Sequence, residues 1–285
     1  MLVLLPPSEG KAAAGRGAPL KPESLSLPGL AGARAAVLDE LVELCAADED
    51  KARDVLGLTE GLRGEIAKNV VLRTAGARPA GELYTGVLYD ALGLATLDTA
   101  AKRRAGKSLL VFSGLWGAVR IGDRIPPYRC AMGVRLPGLG ALGTYWRTPM
   151  RSVVPEAAGD GMVLDLRSSA YAAAWKPEGA LAGRTATVRV LHAQVDEATG
   201  VEKRSVVSHF NKATKGRLVR DLLLAGARPR TPAGLVEALR DLGYVVEVTA
   251  PAGAGGSGAG VGAGAGAGAG AGRTWALDVV VREIH

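Results

Sequence analysis

The sequence predicts an α+β fold, a single domain over residues 1–285 with a mixed β-sheet and surrounding helices. Three observations carry this. Short apolar strands and amphipathic helices intermix along the chain without regular βα alternation, which argues against a nucleotide-binding βαβ array. With 48% hydrophobic and 22% charged residues the chain can bury a sizeable core and is far from a disordered composition. Aromatics are 4% against 40 Gly, so the core must be filled by Leu, Val and Ala.

The elements follow in order. Met1–Leu5 is an apolar strand ended by Pro6-Pro7, and the polar, glycine-bearing stretch from Ser8 to Gly17 is a loop. Leu30, Val37, Leu38, Leu41, Val42 and Cys45 recur at helical spacing, which makes Cys45 core filler. Val87, Leu88, Ala91 and Leu92 predict a second helix. Asp98–Ala105 is a third, leading into a buried strand at Leu109–Phe112. From Tyr128 to Leu136 apolar residues alternate with Arg129 and Arg135, the pattern of a half-buried strand.

Met162–Leu166 reads as a buried strand, and Ser168-Ser169 caps an Ala-rich helix from Ala170 to Trp175 that Pro177 closes. Thr185–Ala193 and Val201–Ser208 form a hairpin around Glu197–Gly200. Lys212–Leu224 is helical. Thr231-Pro232 opens the last helix and Gly243 stops it. The Gly/Ala tract at 252–272 is a loop inserted between strands Tyr244–Thr249 and Trp275–Val281. Closing a longer loop costs only about 0.6 kcal/mol per doubling, so the tract needs no function.

Lys+Arg 35 against Asp+Glu 28 gives +7, a balance that raises the expectation of an anionic partner. The charge is uneven. Between Ala101 and Arg151 stand 10 basic residues and the single acid Asp123, and a second cluster runs from Lys203 through Lys212, Lys215 and Arg217 to Arg220. On a strand, Arg129 and Arg135 lie about 20 Å apart at ~3.3 Å per residue, a span of several phosphates, which favours a polymer over a small ligand. No apolar run reaches the ~18–20 residues of a membrane span, and Pro6-Pro7 interrupts the N-terminal one, so a soluble, non-exported protein is expected. Two Cys and three well-separated His give no metal-ligand spacing and no disulfide framework. The sequence therefore points to no metal, cofactor, catalytic set or protein partner.

Several motifs carry polar chemistry. Pro6-Pro7-Ser8-Glu9-Gly10-Lys11 sets a hydroxyl, a carboxylate and an ammonium in a loop after a strand, where backbone N–H groups and Lys11 can hold a phosphate, although the P-loop spacing is absent. Tyr84-Thr85-Gly86 caps a helix. Ser113-Gly114-Leu115-Trp116-Gly117-Ala118-Val119-Arg120, Asp123, and Pro127-Tyr128-Arg129-Cys130 form the most distinctive stretch. Pro137-Gly138-Leu139-Gly140 has the spacing of a turn whose N–H groups can meet a phosphate, as in a helix-hairpin-helix.

With Asp165-Leu166-Arg167-Ser168-Ser169-Ala170-Tyr171 and Ser208-His209-Phe210-Asn211-Lys212-Ala213-Thr214-Lys215-Gly216, these motifs make the sequence similar to the YaaA family of peroxide-stress proteins. The resemblance implies a cytoplasmic α+β domain that protects DNA during peroxide stress, in part by limiting free iron. It also implies DNA binding through a positively charged cleft. Carried over, it makes Lys11, Arg120, Arg129, Lys212 and Lys215 phosphate contacts, and the charge pattern adds Arg124, Arg135 and Arg217. Ser8, Glu9, Tyr84, Ser113, Asp123, Tyr128, Ser168 and Tyr171 are the polar positions of a pocket.

Two functions follow as expectations. The first is sequence-nonspecific DNA binding through backbone contacts, in the cytoplasm. The alternative is an enzyme acting on a phosphorylated or nucleotide-like small molecule, and it requires Ser8, Lys11, Ser113, Arg129 and Lys212 to converge on one concave pocket.

Overall fold

Eight strands build the main sheet of the computed structural model, which describes residues 1–195, 201–249 and 272–282. In chain order they are β1 (Leu2–Leu5), β2 (Leu109–Ser113), β3 (Gly117–Arg120), β4 (Val163–Asp165), β5 (Thr185–Val195), β6 (Glu202–Ser205), β7 (Val245–Thr249) and β8 (Trp275–Val281). The spatial order is β7-β8-β5-β4-β1-β2-β3, with β6 on β5. β1 pairs in parallel with β2 (Val3 opposite Leu109) and with β4 (Leu2 opposite Val163). β4 continues in parallel to β5, and β5 to β8. Only the outer pairs β2–β3, β5–β6 and β7–β8 are antiparallel. The mixed sheet is as expected, but five adjacent parallel strands at its centre are not.

Central strands covered on both faces must be apolar throughout, and Leu2–Leu5 and Leu109–Ser113 are buried at every residue. Helices α1 (Ala31–Ala47), α2 (Val87–Leu92), α3 (Thr99–Ser108), α4 (Arg147–Ala158), α5 (Ser208–Leu224) and α6 (Pro232–Asp241) surround the sheet with several further helical segments of eight residues or fewer. Cys45 sits in the core, as its periodicity predicts. Thr231 accepts the Gly234 N–H at 3.1 Å, so the predicted N-cap holds, whereas Asp98, expected as the first helical residue, is the N-cap of α3 and accepts the Ala101 N–H at 2.7 Å. β5 and β6 form the predicted hairpin, with its turn outside the described residues, as is the Gly/Ala tract apart from Gly272.

Four expectations fail. Tyr128–Leu136 is not a strand: only Arg135–Leu136 pairs, with Gly140–Ala141. Its alternation is real, since Tyr128, Cys130, Met132, Val134 and Leu136 are all buried, but at Arg129 the partner of its backbone is a side chain. The Asn69 amide donates to the Arg129 carbonyl at 2.8 Å and accepts the Arg129 N–H at 2.9 Å, standing in for a neighbouring strand. Second, the helix after Ser168 stops at Ala172, and Ser168 makes no side-chain cap bond. Third, α5 begins four residues before Lys212, at Ser208. Fourth, the N–H of Gly138 in the Pro137–Gly140 turn is taken by the Glu40 carboxylate, so that group is not open to a phosphate.

α5 packs against α2, α3 and β5. Its approach to α2 depends on Gly216, where an added Cβ meets the carbonyl oxygen of Leu88 and the Cβ of Ala91. Backbone cannot yield as a side chain does, so Gly216→Ala is expected to cost about 1–3 kcal/mol by urea unfolding, with α5 displaced outward. An unchanged midpoint would show that the two helices separate freely.

Candidate functional site

The loops leaving β1 and β4 meet the start of α2, the N-terminal half of α5 and the middle of β5 around one cleft of about 930 Å³. The topology explains its place. From β1 the chain crosses to β2 on one side and later to β4 on the other, and the crevice beyond the carboxyl ends of strands at such a reversal is left open. β5 outruns β4, so Val188 and Arg189 line the cleft past the last β4 partner, Thr187.

The β1 loop is held from within. The Ser8 hydroxyl accepts the Thr85 N–H at 3.0 Å and donates to the Gly10 carbonyl at 2.5 Å, fastening this loop to the Tyr84-Thr85-Gly86 segment. That segment predicts a helix cap, and Gly86 does stand at the N-cap of α2, with φ +91 and without a side-chain bond. Behind Ser8 and Glu9, the Lys11 ammonium donates to their carbonyls at 3.0 and 3.4 Å and lies 4.3 Å from the centre of the Tyr128 ring. Burial brings the Lys11 pKa down to about 8; Glu9 opposes this and Arg129 adds to it. The Glu9 carboxylate pairs with Arg129 at 3.2 Å.

A hydroxyl chain runs below. Ser113 Oγ and the Tyr128 hydroxyl are 2.7 Å apart, Tyr128 and Tyr84 2.9 Å apart, and Ser113 Oγ accepts the Trp116 N–H at 2.9 Å. Burial raises the pKa of all three phenols Tyr84, Tyr128 and Tyr171, and pushes Cys130 up to about 12, so these groups are neutral hydrogen-bonding and apolar surfaces.

On the β4 side Arg167 is buried and fully engaged. It pairs with Asp165 through two bonds of 2.8 and 2.6 Å, donates to the carbonyls of Tyr171 and Trp175 at 3.2 and 2.9 Å, and stacks 4.3 Å from the centre of Phe112. It thus shapes the Ser168–Trp175 segment. Opposite, α5 presents Asn211, Lys212 and Lys215. Lys212 is exposed, whereas Lys215 is half-buried, donates to the Leu166 carbonyl at 3.4 Å, and has its pKa lowered by burial with Asp165 opposing. Arg189, more than half exposed, is held by the Asp278 carboxylate at 2.6 Å.

The structure thus brings Ser8, Glu9, Ser168, Tyr171, Lys212 and Lys215 to one cleft, with Lys11, Arg129, Tyr84, Tyr128 and Ser113 in contact behind it. Of the two basic clusters it brings Arg129, Lys212 and Lys215 to the site and leaves Arg120, Arg124, Arg135 and Arg217 outside its lining. Arg120 donates to the Lys107 carbonyl and its N–H bonds Asp123, whose other oxygen accepts from Ser26. Arg124 donates to the Ala77 carbonyl at 2.7 Å, Arg135 is exposed on its short hairpin, and Arg217 acts on the Tyr244 phenol. None of these four lines the cleft. Because 128–134 is not a strand, the spacing argument for Arg129 and Arg135 also lapses. The sequence reading did not name Arg189, Asn211 and Ser169 as lining residues; Asn211 and Ser169 stood beside Lys212 and Ser168 in their motifs, whereas nothing signalled Arg189.

The distinctive Ser113–Arg120 motif is a tight hairpin between β2 and β3. Gly117 adopts φ +69, and the Trp146 indole N–H donates to the Gly114 carbonyl at 2.8 Å.

Fold and site together define a mixed-sheet protein with a cation-bordered cleft at the carboxyl ends of its central parallel strands. The chain belongs to the family of peroxide stress protein YaaA, whose model matches residues 1–249. It is 70% identical to a UPF0246 protein of Streptomyces coelicolor over all of both chains. It is 41% identical to a UPF0246 protein of Corynebacterium efficiens, over 87% of this chain and 95% of that one. Among the described residues, no helix is long and apolar enough to cross a membrane.

Proposed function

We propose that the protein acts in the cytoplasmic response to peroxide by holding DNA at this cleft, with one nucleotide unit seated inside and Lys212 and Lys215 at its phosphates. The observation that carries this is the convergence of two α5 lysines, Arg189 and the Ser8 and Ser168 hydroxyls on a space of about 930 Å³, within the size range of ligand pockets. Contacts of this kind grip a backbone without reading sequence. Protection from iron-dependent damage then comes from covering the bound strand.

Each lysine that neutralises a phosphate releases a counterion, so affinity should fall steeply with salt. In a salt series on single-stranded DNA, Lys212→Ala with Lys215→Ala is expected to weaken binding for all sequences alike and to reduce the slope of log K against log salt by about 1.4. A salt-independent affinity, or a double variant that binds as the parent does, would remove the proposal.

A second reading, a free phosphorylated or nucleotide-like molecule, is favoured by the displacement of Arg120, Arg124 and Arg135 from the cleft, which leaves a cationic lining of small extent. Mononucleotide binding that DNA fails to compete away would select it.

A further inference from the structure

One buried lining atom has no partner among the described residues. The side-chain oxygen of Asn211 is buried in the wall of the cleft and accepts no hydrogen bond from the described residues, although buried amide oxygens are nearly always satisfied. Its backbone N–H is engaged with the Val207 carbonyl, so the residue is anchored in the first turns of α5 while its amide is left over. Around it the cleft mixes apolar Leu88 and Val188 with the Tyr89 and Tyr171 rings, surfaces suited to the flat face of a heterocycle. The lysines that follow Asn211 on the same helix supply the anion-binding end.

A planar amide offers one acceptor and one donor side by side. Adenine presents the matching pair, the N6 amino donor and the N7 acceptor, and the Asn–adenine bidentate pair is a recurrent contact for this reason. Hypoxanthine presents two acceptors there, of which the amide can satisfy one.

We propose that Asn211 is a specificity-determining residue that selects an adenine nucleotide by pairing its side-chain amide with the N6 and N7 edge of the base. This rests on the reading of the cleft as a nucleotide site and adds a base preference to the base-indifferent phosphate grip.

The test compares dAMP with dIMP, in which an oxo group replaces the 6-amino group and N1 gains a hydrogen while N7 is unchanged, by competition against a labelled short oligo(dA). On the wild-type protein dAMP is expected to compete about tenfold more tightly or better, and Asn211→Ala to level the two while dIMP competition persists, which assigns the preference to the N6 and N7 edge and not to N1. Equal competition by both on the wild type overturns the assignment and leaves the phosphate reading intact. A wild-type preference that survives Asn211→Ala, with an unaltered circular-dichroism melt, also overturns it, since another group must then read the base. If the labelled oligo(dA) does not bind and neither mononucleotide does, the reading of the cleft itself fails and takes this one with it. The wild-type comparison needs no variant, so it decides even where Asn211→Ala misfolds.

Discussion

Arg167→Ala is expected to lower folding stability by about 3–5 kcal/mol, the largest loss among the substitutions considered. The guanidinium is 1% exposed and its Asp165 partner 7%, so truncation strands a buried carboxylate. It also frees the carbonyls of Tyr171 and Trp175 and removes a cation from the faces of Phe112 and Trp175. Urea unfolding measures the loss. Arg167→Lys should rescue little, because one ammonium cannot reproduce a bidentate fork and two carbonyl contacts. Replacing both partners, with Met at 167 and Leu at 165, should recover a large part, since the penalty lies in the unpaired charge. A loss under about 1 kcal/mol for Arg167→Ala would mean that water reaches Asp165 and that the Ser168–Trp175 wall is held by other contacts.

The second large effect concerns pH. Lys11 has a pKa of about 8 in the folded protein against an ordinary value of 10.5. Between these values the unfolded chain binds more protons than the folded one, so stability rises with pH. Below about pH 8 both states carry the proton and the cost of the buried ammonium is fully present; it is relieved as pH climbs toward 10.5. A shift of this size corresponds to roughly 3 kcal/mol. Lys11→Met removes it. The difference in unfolding free energy between parent and variant is therefore expected to move in the parent's favour from pH 7 to pH 10, while surface lysines common to both cancel. Parallel stability curves would place the Lys11 ammonium in water and disprove its burial behind Ser8 and Glu9.

Much of the local structure could be read from residue order. The apolar run Leu2–Leu5 cut by two prolines, the Thr231 cap, and the periodicity that buried Cys45 each report a preference set within a few residues. Tyr128–Leu136 shows where that ends. Alternating burial was correct, yet period-two burial says which side chains face inward and nothing about which group satisfies the backbone. At Arg129 that group is Asn69, some 60 residues away.

The site divides in the same way. The sequence by itself determined that a polar loop follows the first strand, that the chain carries excess cationic charge, and which motifs hold Ser8, Lys11, Ser168, Lys212 and Lys215. Only the tertiary structure decided that these segments meet, because strand order places the exits of β1 and β4 side by side and sets α5 over them. It also decided which cations are free to meet a ligand. A count of Arg residues cannot show that Arg120 and Arg124 already donate to backbone carbonyls, or that Arg167 is closed upon Asp165. Charge is a property of composition, whereas its availability depends on every hydrogen-bond acceptor the fold brings within reach.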